Sequence, residues 1–214
     1  SNMSARNNWS KRKSPEVIVG FTEGARAIAY DWVHKVLYWT DAEKDTIELL
    51  TMKGGHRLTI VDTNLSLPGG IAVDPRDGQG WVYWTDWGRK RKIEKAGLDG
   101  SRRTLMVATG LGSPKDLTID YAGNKLYWSD RSLHTISSCD LNGQGARLVF
   151  SDGRYIGIPI SLDILGDMVY WNDLYTDGIY EVNAADNRPN ARTVRYTRGK
   201  PVSLRMYHQT RQPK

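Results

Sequence analysis

The chain has 214 residues, of which 39% are hydrophobic and 25% are charged, and its formal net charge is +6 at pH 7. This composition excludes a disordered or fibrous chain, and no apolar run approaches the ~20 residues that span a bilayer. The single cysteine, Cys139, excludes an internal disulfide framework and a zinc site built from several thiolates.

The first residues of the chain precede any repeat. Residues 1–14 are predicted as a basic N-terminal segment containing Lys11-Arg12-Lys13, and Glu16-Val17-Ile18-Val19 as a single β-strand. Residues 15–208 form the predicted folded domain, in which residues 202–208 are a last separate strand. Residues 209–214 form a tail.

Four related tetrapeptides dominate the domain. They lie at intervals of 45, 44 and 43 residues and are Tyr38-Trp39-Thr40-Asp41, Tyr83-Trp84-Thr85-Asp86, Tyr127-Trp128-Ser129-Asp130 and Tyr170-Trp171-Asn172-Asp173. A period in the forties built on aromatic pairs is typical of a β-propeller, in which each repeat is one small sheet.

Each repeat contains four short β-prone segments. The first segments are 27–31, 70–74, 116–120 and 160–163, and the second are 36–39, 81–84, 125–128 and 168–171. The third segments are 46–51, 92–97, 135–139 and 178–182, and the fourth are 58–61, 104–108, 146–150 and 193–196. Turns such as Asp99-Gly100 and Asn142-Gly143 tolerate positive φ and favour hairpins. Without helical periodicity, the predicted fold class is all-β, with four antiparallel strands in each blade.

The tetrads have a predicted structural role. Alternation along a strand places the Tyr and the Trp on opposite faces of the sheet, so each blade can pack against both neighbours. The tetrad Asp lies where the strand ends and can accept hydrogen bonds from turn N–H groups. A second set of aspartates recurs near the ends of the first segments and is also expected to fix turns: Asp31, Asp74, Asp120 and Asp163.

With these features in register, residues 15–208 resemble the YWTD β-propeller of the low-density lipoprotein receptor family. Two further stretches resemble the family: the basic run 89–92, which follows Trp87-Gly88, and the segment 133–138. Family propellers have six blades, whereas this chain supplies four blades plus a closing strand. We therefore expect an incomplete six-bladed array, with a closed ring of four or five blades as the alternative. An incomplete array would expose edges that promote self-association.

Sequence motifs for catalysis are absent. The chain has no HExxH, GxSxG or P-loop motif, and the residues after Gly110-Leu111-Gly112 break the dinucleotide fingerprint. No catalytic residue, cofactor or metal ligand is therefore predicted. The enzymatic alternative is a calcium-dependent lactonase, because six-bladed propellers can hold an axial metal ion. Aspartates that recur in every blade favour turn fixing instead.

A partner-binding face is predicted around the loops that follow the tetrads. Trp87 lies beside a run of cations, a combination that suits an acidic or mixed protein loop. The cations are Arg89, Lys90, Arg91 and Lys92. By resemblance, His134 matches a lipoprotein-receptor position that helps the propeller hold its own ligand-binding repeats at endosomal pH, and a second histidine of the family is replaced by Ile158. Plain surface loops are the alternative for this face.

The resemblance implies a non-enzymatic module in the ectodomain of a cell-surface receptor, acting in ligand binding or release, endocytosis or co-receptor signalling. Its partners would be protein ligands or neighbouring receptor modules, with acidic surfaces as a further class. Neither nucleic acid binding nor direct membrane insertion is expected. A nidogen-like extracellular-matrix adaptor is the alternative. Two sequons, Asn8-Trp9-Ser10 and Asn64-Leu65-Ser66, are candidate N-glycosylation sites and fit an extracellular location.

Overall fold

The computed structural model describes residues 17–20, 22–76, 80–197 and 199–206, and within these ranges the chain forms four antiparallel sheets of four strands each. We call the sheets blades 1 to 4 in chain order. Blade 1 contains β1 (Ala25–Asp31), β2 (Val36–Asp41), β3 (Thr46–Thr51) and β4 (Arg57–Val61). Blade 2 contains β5 (Pro68–Asp74), β6 (Trp81–Asp86), β7 (Lys92–Gly97) and β8 (Thr104–Val107). Blade 3 contains β9 (Pro114–Asp120), β10 (Lys125–Asp130), β11 (Thr135–Asp140) and β12 (Arg147–Phe150). Blade 4 contains β13 (Pro159–Leu165), β14 (Met168–Asp173), β15 (Gly178–Asn183) and β16 (Arg192–Tyr196).

The blades are arranged around a shared axis but do not close into a ring. In each blade the strands pair in chain order, and the first strand is innermost. The inner strands pack side by side, β1 against β5, β5 against β9 and β9 against β13. No comparably extensive contact joins β13 to β1 among the described residues. The prediction of an all-β, partial propeller of four-stranded blades is confirmed.

Three apolar clusters hold consecutive blades together, and each unites the tetrad Tyr of one blade with the tetrad Trp of the next. The pairs are Tyr38 with Trp84, Tyr83 with Trp128, and Tyr127 with Trp171. The Tyr38 hydroxyl also donates a hydrogen bond to the Leu98 carbonyl of blade 2 at 3.0 Å. Because successive side chains of a strand point to opposite faces, one tetrad serves two interfaces.

The third tetrad residue also links neighbouring blades, through a polar contact that the sequence pattern did not predict. The Thr40 hydroxyl accepts a hydrogen bond from the Ala27 N–H in β1 and donates to the Gly69 carbonyl in β5 at 2.6 Å. In the next blade, the Thr85 hydroxyl donates to the Lys115 carbonyl in β9 at 3.1 Å. A small hydroxyl side chain at this position therefore connects adjacent inner strands.

Aspartates at the ends of three inner strands do accept hydrogen bonds from the turns that follow them. Carboxylate oxygens of Asp31, Asp74 and Asp120 lie 2.8 to 3.2 Å from N–H groups two or three residues further on. These contacts satisfy turn donors that no strand partner reaches.

The expectation for Asp163 was wrong, because β13 continues two residues beyond it. Leu165 pairs with Met168 at the position that Asp120 occupies in blade 3. Asp163 instead lies inside the array, where it accepts a hydrogen bond from the Thr118 hydroxyl at 2.9 Å. This aspartate therefore joins two inner strands and does not fix a turn.

The two predicted terminal strands are not formed within the described residues. Residues 17–20 have no strand pairing, and Glu16 lies outside the described residues. An outer strand needs the third strand of its own blade as a partner, and residues 17–20 have none.

Residues 199–206 are also not a strand, and His208 lies outside the described residues. Two N–H groups of this segment donate to side chains of β13 in place of its backbone. Leu204 donates to the Ser161 hydroxyl at 3.1 Å, and Met206 donates to the Asp163 carboxylate at 2.7 Å.

Both ends of the array have side chains that lack the contacts made between interior blades. Ile28 and Tyr30 of blade 1 are 62% and 42% exposed, whereas Ile71 and Val73, their counterparts in blade 2, are 2% and 3% exposed. On the far side of blade 4, the Asn172 amide nitrogen is buried and has no hydrogen-bond partner among the described residues. A further blade would cover these apolar side chains and supply an acceptor.

We expect the isolated chain to self-associate as its concentration rises, because the end faces repeat the apolar character of the internal interfaces. Sedimentation velocity over a concentration series should show a rising weight-average sedimentation coefficient. Ile28→Asp places a charge on the blade 1 end face and should reduce the increase. A compact monomer at every concentration would contradict this expectation.

Candidate functional site

The residues predicted to bind a partner lie at one end of the blades, which we call the tetrad rim. This rim is formed by the four loops that follow the tetrads, 42–45, 87–91, 131–134 and 174–177, and by the connections between blades. Trp87, the basic run and His134 all lie there, as predicted from the strand order. The structure separates them, however, into three different surroundings.

Three of the four tetrad aspartates build this rim by joining their own loop to the connection from the preceding blade. Asp130 accepts hydrogen bonds from Ser132 and Leu133 in the loop and from Gly112 and Ser113 in the connection, at 2.7 to 3.0 Å. Charged acceptors bind N–H groups strongly, so one carboxylate fixes two segments. The tetrad Asp therefore determines where the rim side chains lie.

Asp86 and Asp173 make the same kind of junction. Asp86 accepts from Ser66 in the connection and from Gly88 in the loop, and burial raises its pKa above the ordinary value. Asp173 accepts from Gly157 and Tyr175 in the same way. Asp41 differs, because its buried Oδ2 atom has no hydrogen-bond partner among the described residues.

A cavity of about 560 Å³ opens where the inner strands meet the tetrad rim, and we call it the axial mouth. Trp87 lies in its wall, and the Lys115 ammonium group stands over the indole ring. Arg26 and Arg131 also line the mouth. A cation over an aromatic face is an attractive arrangement that also orients both groups.

The axial mouth is electropositive. Burial, and to a smaller extent repulsion by Arg131 and Arg26, lower the pKa of Lys115 to about 8. The one carboxylate in the lining, Asp116, forms an ion pair with Arg205 at 3.0 Å. Arg26, Lys115 and Arg131 therefore have no carboxylate partner in the lining and can contact an anionic group of a binding partner.

The basic run after Trp87 lines a different cavity, of about 1100 Å³, on the outer side of the rim. We call it the outer groove. It lies between the connection that contains Asn64 and the loop 87–91, and it shares no lining residue with the axial mouth. Trp87 and the basic run of the predicted single face thus line two separate cavities.

His134 lies in neither cavity lining. It is exposed, and its ring nitrogen forms a hydrogen bond with the backbone carbonyl of Gly157, next to Ile158. The ring thus contacts the connection between blades 3 and 4. Its predicted part in partner binding stays a prediction.

Sequence reasoning missed the cations of the axial mouth because they are far apart in the chain. Arg26 and Lys115 are each the second residue of an inner strand, and Gly69 and Ile160 occupy the same position in the other blades. All four residues line the mouth. Aligning the inner strands by register could have revealed this ring of positions.

The two sequons have different outcomes. Asn8 lies outside the described residues. Asn64 is exposed, has a positive φ of 51°, and lines the outer groove. Glycosylation at both sites stays a prediction.

The described part of the chain contains no group of three or more His, Cys, Asp or Glu side chains arranged to hold a metal ion. None of its segments is a helix with the length and hydropathy needed to cross a bilayer.

A family model for the low-density lipoprotein receptor repeat class B matches residues 35–75, 80–121 and 124–153, which make up more than half of the chain. The chain belongs to this family. The first two matches each run from the second strand of one blade to the inner strand of the next. The resemblance drawn from the tetrads is confirmed, and blade 4 repeats the same architecture beyond the matched residues.

Curated relatives include two receptors. The vitellogenin receptor of Solenopsis invicta is 33% identical over 186 residues, which are 87% of this chain and 10% of that receptor. Low-density lipoprotein receptor-related protein 5 of Mus musculus is 34% identical over 147 residues, which are 68% of this chain and 9% of that protein. The chain therefore spans about a tenth of the length of these relatives.

Two solved structures are similar in fold. The crystal structure of a nidogen/laminin complex has a TM-score of 0.75 and 29% identity, over 86% of this chain and 68% of that chain. A gluconolactonase from Xanthomonas campestris has a TM-score of 0.69 and 17% identity, over 84% of this chain and 65% of that chain. The second likeness shows the fold alone.

Proposed function

We propose that the chain is a non-enzymatic module in the extracellular part of a cell-surface receptor, and that it binds a protein partner at the axial mouth. The observation that carries the proposal is the meeting of a half-buried aromatic ring, Trp87, with the cations Arg26, Lys115 and Arg131 in one cavity. These groups come from three blades and converge only in the folded array.

The chemistry of the mouth favours a protein loop with an acidic side chain. Aromatic and arginine side chains are the residues that most often dominate the free energy of protein binding. The surplus positive charge selects an anionic group and speeds its approach. A cavity at the end of a propeller axis also admits one loop rather than a flat surface.

The relatives support the receptor part of the proposal. Two receptors are about one third identical to the chain. The protein-binding part is supported by the similar fold of a chain that was solved in a nidogen/laminin complex. A nidogen-like matrix adaptor is the second candidate, favoured by the 29% identity to the chain in that complex. Cysteine-rich complement-type repeats and a membrane anchor in the full-length protein would distinguish the receptor from the adaptor.

The lactonase alternative has only a likeness of fold to support it. Calcium-dependent hydrolysis of gluconolactone by the purified chain would favour that alternative over a binding module.

We expect the double variant Trp87→Ala, Arg131→Glu to bind acidic peptides at least about tenfold more weakly than the parent, because it removes the aromatic anchor and inverts one charge at the mouth. The probes are peptides selected on the parent chain from a random display library. Dissociation constants measured by biolayer interferometry provide the comparison.

Lys53→Glu is the matched control, because Lys53 is exposed in the β3–β4 turn at the opposite end of blade 1. It should leave the dissociation constants unchanged. Lys115 is charged below its pKa of about 8 and neutral above it, so affinity for acidic peptides should fall as the pH rises through about 8. Selected peptides that bind parent and double variant equally would place the partner elsewhere.

A further inference from the structure

The outer groove presents cations that no other group in the described structure neutralises. Arg89, Lys90 and Arg91 are exposed, and their side chains have no ion-pair partner among the described residues. They are consecutive in the loop after the second tetrad. An anionic ligand could therefore contact all three without displacing an internal contact.

The carboxylates of the groove are already satisfied. Glu94 lies between Lys92 and Arg103, with ion-pair distances of 3.1 and 2.7 Å. Asp86 is buried and accepts the Ser66 and Gly88 N–H groups. The lining thus contains five cations and two carboxylates, which leaves a formal charge of +3.

The groove also has an apolar part. Leu65, Leu105, Ala108 and Leu111 line it, and Leu105 is 54% exposed. A sulfated sugar would bury less apolar surface against these side chains than aliphatic side chains would. A polypeptide that alternates acidic and aliphatic side chains would match both the charge and the apolar area.

The sequon at Asn64 forms the opposite wall of this groove. The Asn64 backbone carbonyl accepts a hydrogen bond from the Lys92 ammonium group at 2.5 Å, and Arg103 also donates to it. These contacts hold the backbone beside the basic run, while the side chain is exposed. An N-linked glycan needs an exposed Asn, with Ser or Thr two residues later, and Ser66 meets that requirement.

We propose that the outer groove binds an acidic polypeptide segment with aliphatic side chains, and that an N-glycan on Asn64 covers the groove and prevents this binding. The glycan part rests on the extracellular location in the proposed function, whereas the binding part does not. The glycosylated chain would then have one protein-binding site, at the axial mouth. The unglycosylated chain would have two, at the axial mouth and at the outer groove.

The binding part is tested with chain made in bacteria, which carries no glycan. The probe is a labelled synthetic peptide in which pairs of glutamate alternate with single leucines, and fluorescence anisotropy measures its binding. Reversal of the run by Arg89→Glu, Lys90→Glu and Arg91→Glu should weaken binding by about tenfold or more, and Leu105→Ser should weaken it several-fold. Lys53→Glu should have no effect. Equal binding by all variants, or equally tight binding of a heparin oligosaccharide, would overturn the proposal.

The glycan part is tested with chain secreted from insect or mammalian cells. Intact mass and peptide mapping should show a glycan on Asn64 of the parent, and this form should bind the peptide no better than the bacterial variant Arg89→Glu, Lys90→Glu, Arg91→Glu does. Ser66→Ala removes the sequon and should restore the affinity of the bacterial chain. An unmodified Asn64, or glycosylated chain that binds the peptide normally, would overturn this part. The axial-mouth variant Trp87→Ala, Arg131→Glu should leave peptide binding at the groove unchanged, which separates the two sites.

Discussion

Trp84→Ala should lower the free energy of unfolding by about 3–5 kcal/mol. The indole is fully buried in the cluster that joins blades 1 and 2, where it lies against Tyr38 and Ile71. Truncation removes this area and leaves a cavity between two sheets that other blades hold in place. Denaturant unfolding of parent and variant measures the loss.

Two comparisons make this test specific. Trp87→Ala, at the rim and outside the three clusters, should cost no more than about 1 kcal/mol. Trp84→Phe should cost less than the alanine variant, because it keeps an aromatic ring and removes a buried indole N–H that has no hydrogen-bond partner in the described structure. Thermal midpoints of Trp84→Ala and parent within a degree or two would show that this ring is not packed between blades.

Asp130→Ala should lower the free energy of unfolding by about 2–4 kcal/mol, because it leaves several rim N–H groups without their acceptor. The carboxylate is buried and joins the loop after the third tetrad to the connection from blade 2. Equilibrium unfolding in urea gives the value. Hydrogen exchange should also become faster at Gly112 and Leu133.

Asp41→Ala is the matched variant in blade 1. Within the described part of the chain, Asp41 accepts only from Glu43 and Lys44 in its own loop, and its second oxygen has no partner there. We expect about half the loss of Asp130→Ala. Equal losses would mean that the junction with the preceding connection contributes nothing to stability.

The sequence was sufficient for the parts of the fold that depend on local periodicity. Strand alternation fixes the opposite directions of Tyr38 and Trp39, and the tetrad spacing fixes the blades. Asp163 was misplaced because its alignment relied on residue type, whereas the turn at residues 166–167 sets the register of β13. A shift of two residues along β13 leaves the Asp163 side chain on the same face of the blade but at a different height along the propeller axis.

The binding sites depend on geometry that spacing does not contain. Arg26, Lys115 and Arg131 meet only because the inner strands β1 and β9 and the loop after β10 converge at one end of the axis. Trp87 and Arg91 are close in sequence but face different cavities, because the chain turns between them before β7 begins. A motif can identify such a loop, yet only the folded chain shows which way each side chain points.

The hydroxyl contacts between inner strands also bear on how the array comes apart. In the ranges that the structure describes, every such contact and every apolar cluster joins one blade to the next, so blades 2 and 3 have two neighbours and blades 1 and 4 have one. Blade 4 has an additional tie, since the segment 199–206 binds β13 and places Arg205 against Asp116 of β9. As in other linear repeat arrays, fraying therefore begins at the end with the fewest ties, which is blade 1, and progresses toward the C-terminus.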